Sequence, residues 1–202
     1  MKDEYIHRTP NTVSHSMNDA ELIAQFRAGQ IAAFNTLVKR WECPIYNFVL
    51  RYVGNRDDAR DLCQQTFIRA YKNMRRLRDP DKFTSWIYQI ALNACRDAGR
   101  RRSLISLDTL DTPIADTTTP PDARVHEQSV RDLLNRALQN LPEEQRVVII
   151  MKEYQGLKFT EIAETLKVPI NTVKSRMYYG LSALKKIFDR WHISEDMVRY
   201  EL

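Results

Sequence analysis

The stretch that decides the fold is FTEIAETLKVPINTVKSRMYYGLSALKK, residues 159–186. Pro169 cannot continue a helix, so the apolar periodicity on either side of it predicts two helices joined by a turn of about four residues. Thr160 is expected to cap the first helix, and Asn171 or Thr172 the second, by accepting hydrogen bonds from free backbone amides. The pattern is typical of a helix-turn-helix.

The second of these helices has distinct inner and outer sides. A period of 3.6 residues places four apolar side chains on the buried side: Val173, Met177, Leu184 and Phe188. The outward strip consists of Thr172, Ser175, Tyr179 and Ser182, and it is flanked by Lys174, Arg176, Lys185 and Lys186. Such a helix fits a DNA major groove between two rows of phosphates. An ordinary helical hairpin with a solvated basic face is the alternative.

Composition favours a polyanionic partner. The 202 residues suit one or two small domains, and the formal net charge is +5 with a pI near 9.1. The three cysteines, Cys43, Cys63 and Cys95, are too far apart for a CxxC pair. We expect them to be buried free thiols in a reducing cytoplasm.

No catalytic pattern is visible. The four histidines are scattered without metal-ligand spacing, and the five glycines form no phosphate-binding loop. We therefore expect no enzymatic activity, no cofactor and no metal. The chain also lacks an apolar run long enough to span a bilayer, and its first seventeen residues are too polar for a secretory signal, which predicts a soluble intracellular protein.

Periodicity elsewhere predicts an all-α fold of two small helical domains, the second carrying the helix-turn-helix. Residues 103–125 break helical periodicity with threonine, aspartate and three prolines, which indicates a flexible acidic linker. The expected domains are residues 18–102 and 126–189, with a disordered extension at 1–17 and a tail at 190–202. Expected helices lie near 19–28, 31–53, 57–75, 83–102, 126–139, 143–155, 160–166 and 172–189.

The third expected helix contains DDARDLCQQTFIRAYKNM. Its apolar stripe is expected to bury Leu62, Thr66, Phe67, Ala70, Tyr71 and Met74. Its other side presents Asp58, Asp61, Gln64 and Gln65. Carboxylates in a first helical turn stabilise the helix dipole by about 0.3–1 kcal/mol, so this side is either a solvated helix start or a docking face.

The fourth expected helix, FTSWIYQIALNACRDAGRRRS, has a polar stripe opposite its apolar one. The apolar stripe comprises Phe83, Trp86, Ile87, Ile90 and Ala94, which we assign to the core. The polar stripe comprises Gln89, Asn93, Arg96 and Arg100. Amide and guanidinium groups on one helix face are suited to bases and phosphates.

Four motifs in order, DDARDLCQQTF, FTSWIYQIALNACRDAGRRR, LPEEQRVVIIMKEYQGLKFTEIAETL and VPINTVKSR, resemble extracytoplasmic-function sigma factors. These are the two-domain members of the sigma-70 family, and the resemblance covers about residues 18–189. It implies a bacterial initiation factor that binds core RNA polymerase, directs it to a promoter and helps to open the DNA. The factor itself would not be an enzyme.

The resemblance also implies roles for particular residues. The surface that docks on the largest polymerase subunit would comprise Asp58, Asp61, Gln64, Gln65 and Phe67. The minus-ten element would be bound by Arg76, Arg78, Lys82, Gln89, Asn93, Arg96, Arg100 and Arg101. Of these, Arg76, Arg78 and Lys82 lie in a loop similar to the one that captures a flipped base in the family. The minus-thirty-five element would be read by Asn171, Thr172, Lys174, Ser175, Arg176 and Tyr179.

Further implied partners are the second-largest polymerase subunit and an anti-sigma factor. The free chain is expected to be a cytoplasmic monomer, and an anti-sigma factor would hold it at the inner face of the membrane. Three positions depart from the family pattern: Gln65 where glutamate is common, Leu92 where a basic residue is frequent, and Lys167 where the tight turn often has glycine. The residues that follow Arg176 also differ, so promoter sequence is not transferable.

Two alternatives remain. A stand-alone helix-turn-helix repressor or activator would use the same DNA-binding helix but leaves the Asp61–Phe67 face and the polar stripe of the fourth helix without a purpose. A nucleic-acid-processing enzyme lacks clustered metal carboxylates or a nucleophile with its base. The tail is either passive or a short amphipathic regulatory helix formed by Trp191, Ile193, Met197 and Val198.

Overall fold

A computed structural model describes residues 17–108 and 128–191 of the protein, and it describes side chains for 17–102 and 133–191. Those ranges contain helices, turns and short connections, with no strand among them. The α-helices are α1 (Asp19–Arg27), α2 (Ile31–Val53), α3 (Arg56–Asn73), α4 (Phe83–Asp108), α5 (Gln128–Gln139), α6 (Glu143–Ile149), α7 (Phe159–Leu166) and α8 (Ile170–Arg190). Two 3₁₀ turns, Met74–Arg76 and Pro80–Lys82, join α3 to α4, and a π-helical turn, Ile150–Tyr154, extends α6.

Asparagine caps begin two helices of the first unit. Before α1, the Asn18 side chain accepts a hydrogen bond from the Glu21 backbone amide, and Glu21 accepts one from the Asn18 amide, both at 2.9 Å. Before α3, Asn55 accepts hydrogen bonds from the amides of Asp57 and Asp58. Each cap satisfies backbone donors that have no partner within the helix, which fixes where the helix starts.

The first unit is formed by α1–α4 around an aromatic and aliphatic core. Fully buried members include Leu22, Ile23, Leu37, Ile45, Phe48, Phe83, Ile87 and Tyr88. Burial of each large apolar side chain stabilises the fold by about 1.5–3 kcal/mol, so this cluster dominates the stability of the unit. Arg27 of α1 donates hydrogen bonds to the carbonyls of Met74 and Leu77, which fastens the connection between α3 and α4 to α1.

The second unit is formed by α5–α8. Val173 and Met177 of α8 are buried, together with Ile162 of α7 and the stretch from Val147 to Met151. Trp191, at the end of α8, is buried against Leu133 and Ala137 of α5. Trp191, which the sequence analysis assigned to the tail, therefore helps to hold α5 on α8.

The two units pack directly on each other. Their buried side chains form one continuous hydrophobic cluster. The Tyr88 hydroxyl donates to Gln155 Oε1 at 2.9 Å, and Gln139 Nε2 donates to the carbonyls of Arg51 and Tyr52 at 2.9 and 3.2 Å. The units are therefore joined by apolar packing and hydrogen bonds as well as by the chain between them.

All eight helices predicted from periodicity are present, with most bounds shifted by three residues or fewer. There are two exceptions: α4 continues to Asp108 through the first part of the segment expected to be a linker, and α6 ends at Ile149, where the π-helical turn takes over. The rest of that segment up to residue 127, the extension at 1–16 and the tail from 192, with Ile193, Met197 and Val198, lie outside the described residues. No helix in the described ranges combines the length and apolar character that a membrane crossing requires.

The predicted caps of the helix-turn-helix are wrong. Helix α7 starts at Phe159, and the amide that receives a side-chain partner is that of Lys158, which donates to Glu161 Oε2 at 2.7 Å; Thr160 lies inside the first turn. Helix α8 starts at Ile170 immediately after Pro169, whose carbonyl accepts from the amides of Thr172 and Val173. The proline, with its restricted φ, begins this helix without a side-chain cap.

Two burial predictions are also wrong. Tyr71 has the spacing of a core residue but is 45% exposed, because it lies at the open edge between α2 and α3. Cys43 is exposed on α2, whereas Cys63 and Cys95 are buried as expected.

Candidate nucleic-acid and protein interfaces

The face of α3 singled out from the sequence is mostly accessible. Asp61 and Gln64 are exposed, and Gln65 and Phe67 are half-buried. Asp58 forms an ion pair with Arg102 of α4, so its carboxylate also ties the start of α3 to α4. We call Asp58, Asp61, Gln64, Gln65 and Phe67 the α3 face. The other four side chains of the α3 face form no ion pair with any described residue.

A groove of about 770 Å³ lies beside the α3 face, between α2 and α3. Gln64 and Phe67 line it, and so do two side chains that sequence reasoning did not select, Ile68 and Tyr71, which are 47% and 45% exposed. Ile68 and Tyr71 lie four and seven residues after Gln64 and so share its side of the helix; this spacing could have identified them from the sequence. The groove offers an apolar surface of the kind that receives an amphipathic helix.

The polar stripe of α4 is arranged around Asp97. Arg100 and Arg69 form ion pairs with its carboxylate at 3.0 and 3.1 Å, and Arg101 donates to its carbonyl at 3.3 Å. Arg100 and Arg101 remain exposed, as does Asn93. Exposed ion pairs of this kind contribute about 0–1 kcal/mol, so these guanidinium groups can exchange Asp97 for phosphate at small cost.

The connection between α3 and α4 carries three more of the predicted residues. Arg76, Arg78 and Lys82 are all exposed, and Asp79 accepts a hydrogen bond from the Asp81 amide at 3.1 Å. A cavity of about 220 Å³ adjoins this connection. It is lined by Arg78, Lys82, Trp86 and Gln89 from the first unit and by Glu164 and Lys167 from the second.

The second unit contacts the same face of the first. Glu164 of α7 pairs with Lys82 at 2.5 Å, and Glu143 of α6 pairs with Arg96 at 2.8 Å. Gln89 Nε2 lies 3.5 Å from the carbonyl of Thr165. Three residues predicted to bind DNA are thus engaged by the second unit, a relationship that sequence reasoning missed.

These contacts shift the ionisation of both carboxyl groups. Burial would raise the pKa of Glu143, but hydrogen bonds from Arg96 and Tyr52, with the charge of Arg96, outweigh it and hold the pKa below its ordinary value. The hydrogen bond from Lys82 likewise lowers the pKa of Glu164. Both glutamates are therefore ionised at neutral pH.

Helix α8 presents the predicted DNA-facing strip. Asn171, Lys174, Ser175 and Tyr179 are exposed and Thr172 is half-buried, while buried Val173 and Met177 fix the rotation of the helix. Arg176 is turned towards α6, where it pairs with Glu144 at 2.8 Å. Tyr178, which sequence reasoning did not select, is 71% exposed and lies edge-on to Tyr179, with ring centroids 5.6 Å apart.

Comparison with protein families gives two matches, Sigma-70 region 2 over residues 37–105 and Sigma-70 region 4 over residues 131–184. Together they span more than half of the chain, and they fall on the first and second units. This chain belongs to the sigma-70 family. Its similar proteins include members that are named extracytoplasmic-function (ECF) sigma factors.

Among the relatives of this sigma-70 family member is the ECF RNA polymerase sigma-E factor of Escherichia coli K12. It is 29% identical over 183 residues, which cover 85% of this chain and 95% of the relative. The RNA polymerase sigma-H factor of Pseudomonas aeruginosa is 27% identical, over 83% of this chain and 92% of the relative.

Two solved structures share the fold. CnrH, in complex with the cytosolic domain of CnrY, has a TM-score of 0.66 and 24% identity, covering 85% of this chain and 97% of CnrH. RpoE of Bartonella quintana, in complex with the anti-sigma factor NepR, has a TM-score of 0.66 and 20% identity, covering 77% and 96%. These two structures therefore share with this chain the arrangement of helices described above.

Proposed function

We propose that this chain is a sigma factor that binds core RNA polymerase, directs it to promoters and helps to open the DNA. The observation that carries the proposal is the presence of both sigma-70 regions in order, each on its own helical unit. The residues expected to act in each region lie on α3, α4 and α8, where they are either exposed or held by weak ion pairs that DNA or a protein partner could replace. A stand-alone regulator would need only the last of these surfaces.

Docking on polymerase is assigned to the α3 face and the groove beside it. Asp61 and Gln64 supply exposed polar contacts, and Phe67 with Ile68 and Tyr71 supplies apolar area. Apolar area at the centre with polar groups at the rim is the usual composition of a protein interface. The partner proposed for this surface is the largest subunit of core polymerase, and the second unit would contact the second-largest subunit.

Promoter recognition is assigned to two separate surfaces. The exposed strip of α8, from Asn171 to Tyr179, enters the major groove at the minus-thirty-five element, where amide and hydroxyl groups read base edges. The stripe of α4 and the loop from Arg76 to Lys82 bind the minus-ten element. Their guanidinium and ammonium groups hold phosphates, which gives affinity without sequence information.

Strand opening requires no chemical step by the protein, because tighter binding to the open DNA is sufficient. Unstacking a base costs a few kcal/mol, and contacts that form only with the single strand offset that cost. The open state is then favoured because the protein binds it better than the duplex. We accordingly propose no catalytic role for any residue of this chain.

We also propose that an anti-sigma factor regulates the protein in the cytoplasm. The solved structures of similar fold hold such partners: RpoE was solved with an anti-sigma factor and CnrH with the cytosolic domain of CnrY. The α3 face and its groove are the surface such a partner would compete for. A membrane-anchored partner would hold the chain at the inner face of the membrane.

Transcription from genomic DNA tests the function. The purified chain is added to sigma-free bacterial core polymerase with fragmented genomic DNA from its source, and the 5′ ends of the transcripts are sequenced. Discrete start sites that share upstream motifs are expected. Absence of starts, with failure to co-elute with core polymerase, would favour a stand-alone regulator.

A charge reversal tests the docking surface. Asp61→Arg places a long cation on an exposed position of α3 and is expected to abolish co-elution with core polymerase without loss of helix content. Glu153→Arg, an equal charge change at an exposed position of the second unit, is the matched control and should co-elute normally. Equal behaviour of the two variants would remove the α3 face from the proposal.

A further inference from the structure

We propose that residues 192–202 of the free chain occupy the groove between α2 and α3 and compete there with core polymerase. The inference rests on the proposed function, because that groove is part of the surface assigned to polymerase docking. The segment HISEDMVRYEL follows directly after Trp191, the last residue that the structure describes. Polymerase would then have to displace a segment of the chain itself before it docks.

The groove combines apolar walls with an excess of positive charge. Its apolar walls include Val38, Tyr46, Phe67 and Tyr71. Three exposed cations also line it: Lys39, Arg60 and Lys72. These cations form no ion pair with a described residue. Glu42 is the single acidic residue among the described lining residues, so positive charges exceed negative ones by two, and the groove is suited to a segment that is both apolar and acidic.

The cations are spread along the groove. Arg60 and Lys72 are twelve residues apart on α3, which corresponds to about 18 Å along the helix axis. Lys39 lies on the opposite wall, on α2. A segment that lies lengthwise in the groove therefore meets a cation near each end, with apolar walls between.

The sequence of residues 192–202 has a matching distribution of charge. Glu195 and Asp196 precede an apolar stretch, and Glu201 follows it. The apolar side chains are Met197, Val198 and Tyr200. Methionine and tyrosine are enriched in protein interfaces. Three acidic residues against one basic residue, Arg199, leave an excess of two negative charges, equal in size and opposite in sign to that of the groove.

The last described residue lies close enough to the groove for this segment to reach it. Trp191 is buried against Ala137 of α5. Two residues further along α5, the Gln139 side chain lies beside Gly54 and donates to the carbonyls at the end of α2. Arg60 follows Gly54 by six residues, which places the near end of the groove roughly 20 Å from Trp191. An extended chain spans at most about 3.3–3.6 Å per residue, so about six residues bridge that distance and the others can lie within the groove.

The covalent connection makes a weak contact sufficient. A short tether gives a segment an effective concentration in the millimolar range at a nearby site, so an affinity of about 1 mM leaves the groove occupied for about half of the time. Ion pairs with the exposed cations are weak and are screened by salt. Such a contact can occupy the groove in the free chain and still yield to polymerase.

Zero-length cross-linking tests occupancy of the groove in the unmodified free chain. A carbodiimide activates a carboxylate for attack by a neighbouring amine, so it joins only groups that are in contact. We expect an isopeptide between Glu201 and Lys39 or Lys72, identified by peptide mass spectrometry, with a yield that does not change when the protein is diluted. A yield that falls on dilution would mean that the segment of a second copy occupies the groove, and absence of the isopeptide would mean that the segment lies elsewhere. Either outcome would overturn the proposal, whatever the transcription experiment shows.

Truncation after Trp191 tests competition with polymerase. The cut retains Trp191, because that side chain holds α5 on α8. The truncated chain should bind core polymerase about two- to ten-fold more tightly than the parent, since the groove is no longer partly occupied. Full-length Glu195→Gln with Glu201→Gln should show a gain in the same direction, whereas Glu153→Gln, which removes a charge outside the segment, should show none. Equal affinity of the truncated and parent chains would overturn the proposal; failure of every form to bind core polymerase would count against the proposed function, and the cross-link would then decide what occupies the groove.

The isolated segment provides a control for sequence. The synthetic peptide HISEDMVRYEL, added to the truncated chain, should halve its binding to core polymerase at a concentration of about 1 mM. A scrambled peptide of the same composition and charge should need at least five-fold more. Equal inhibition by the two peptides would assign the effect to charge alone and overturn the match between this segment and the groove.

Discussion

Gly180 of α8 lies against Ile149 of α6 with no space for a side chain: a Cβ at position 180 would be 2.7 Å from Ile149 Cδ1 and 3.2 Å from Gln145 Cβ. Ile149 is itself buried, so it has little freedom to move aside. This close approach sets the distance between α8 and α6. It also explains why a residue that weakens helices is found in the middle of α8.

Gly180→Val should therefore destabilise the second unit. Overpacking of a filled core costs about 1–3 kcal/mol, and valine brings no gain in helix propensity large enough to offset it. Urea unfolding measures the change. Gly99→Ala in α4 is the control: a Cβ at position 99 would meet no neighbouring atom within 4 Å, so a side chain added there should stabilise the helix by about 0.5–1 kcal/mol. Equal stability of Gly180→Val and the parent would contradict the close packing.

Lys167→Gly should stabilise the helix-turn-helix. Lys167 ends α7 with φ 55° and ψ 44°, the left-handed conformation that costs a residue with a Cβ about 1–2 kcal/mol. Glycine avoids this strain but loses more backbone entropy on folding, which leaves an expected gain of about 0.5–1 kcal/mol in the free energy of unfolding. Lys186→Gly, in the interior of α8, should instead lose about 1 kcal/mol. A loss at both positions would exclude strain at Lys167.

Sequence reasoning recovered the helices because strong local signals mark their ends. Gly54 adopts φ 75° at the end of α2, and Pro80 and Pro142 precede α4 and α6. The caps of α7 and α8 were missed because the N-cap residues are Lys158 and Pro169, whereas serine, threonine or asparagine is usual at that position. Tyr71 was placed in the core because periodicity identifies a helix stripe but not where the neighbouring helix ends its contact.

Most of the polar residues selected on α3, α4 and α8 are exposed, since polar side chains opposite an apolar stripe must face outward; Asp58, Gln65, Gln89, Thr172 and Arg176 are half-buried. Their pairing across the two units was not predictable. Glu143 and Glu164 lie on short helices where carboxylates are common, and nothing local distinguishes a solvated glutamate from one that meets Arg96 or Lys82. Tyr178 was missed because the outward strip was drawn only through Thr172, Ser175, Tyr179 and Ser182, whereas Tyr178 is 71% exposed.

Thiol reactivity should separate the three cysteines. Cys43 is exposed, whereas burial raises the pKa of Cys63 to about 11 and that of Cys95 to about 12. Because the thiolate is the reactive form, Ellman's reagent at a pH of about 8 should titrate one thiol in the folded protein and all three in urea. Rapid reaction of two or more thiols in the folded chain would contradict this burial.

Arg176→Ala should weaken promoter binding while core polymerase binding is unchanged, because Arg176 lies on α8 in the second unit and the α3 face belongs to the first. If Arg176 contacts a base, the loss is about 1–3 kcal/mol and is specific to one position of the promoter. If it contacts phosphate, binding to all DNA sequences weakens alike, and the slope of the logarithm of affinity against the logarithm of salt concentration falls by about one unit.

Glu144→Gln, which removes the present ion-pair partner of Arg176, is the matched variant and should retain promoter binding. Loss of core binding by Arg176→Ala would contradict the assignment.

Acid should weaken the packing of the two units on each other. Glu143, which faces Arg96, Tyr52 and Arg146, and Glu164, which faces Lys82 and Ser85, both have a pKa held below the ordinary value of 4.5 where the two units are in contact.

A lowered pKa means that the folded chain gains stability from these groups above the ordinary glutamate pKa and loses it as pH falls through the lowered values. The free energy of unfolding measured in urea should therefore decrease as the pH is lowered below about 4.5. In Glu143→Gln with Glu164→Gln the free energy of unfolding should depend less on pH over the same window. Identical acid profiles for parent and double variant would show that other carboxylates control the transition.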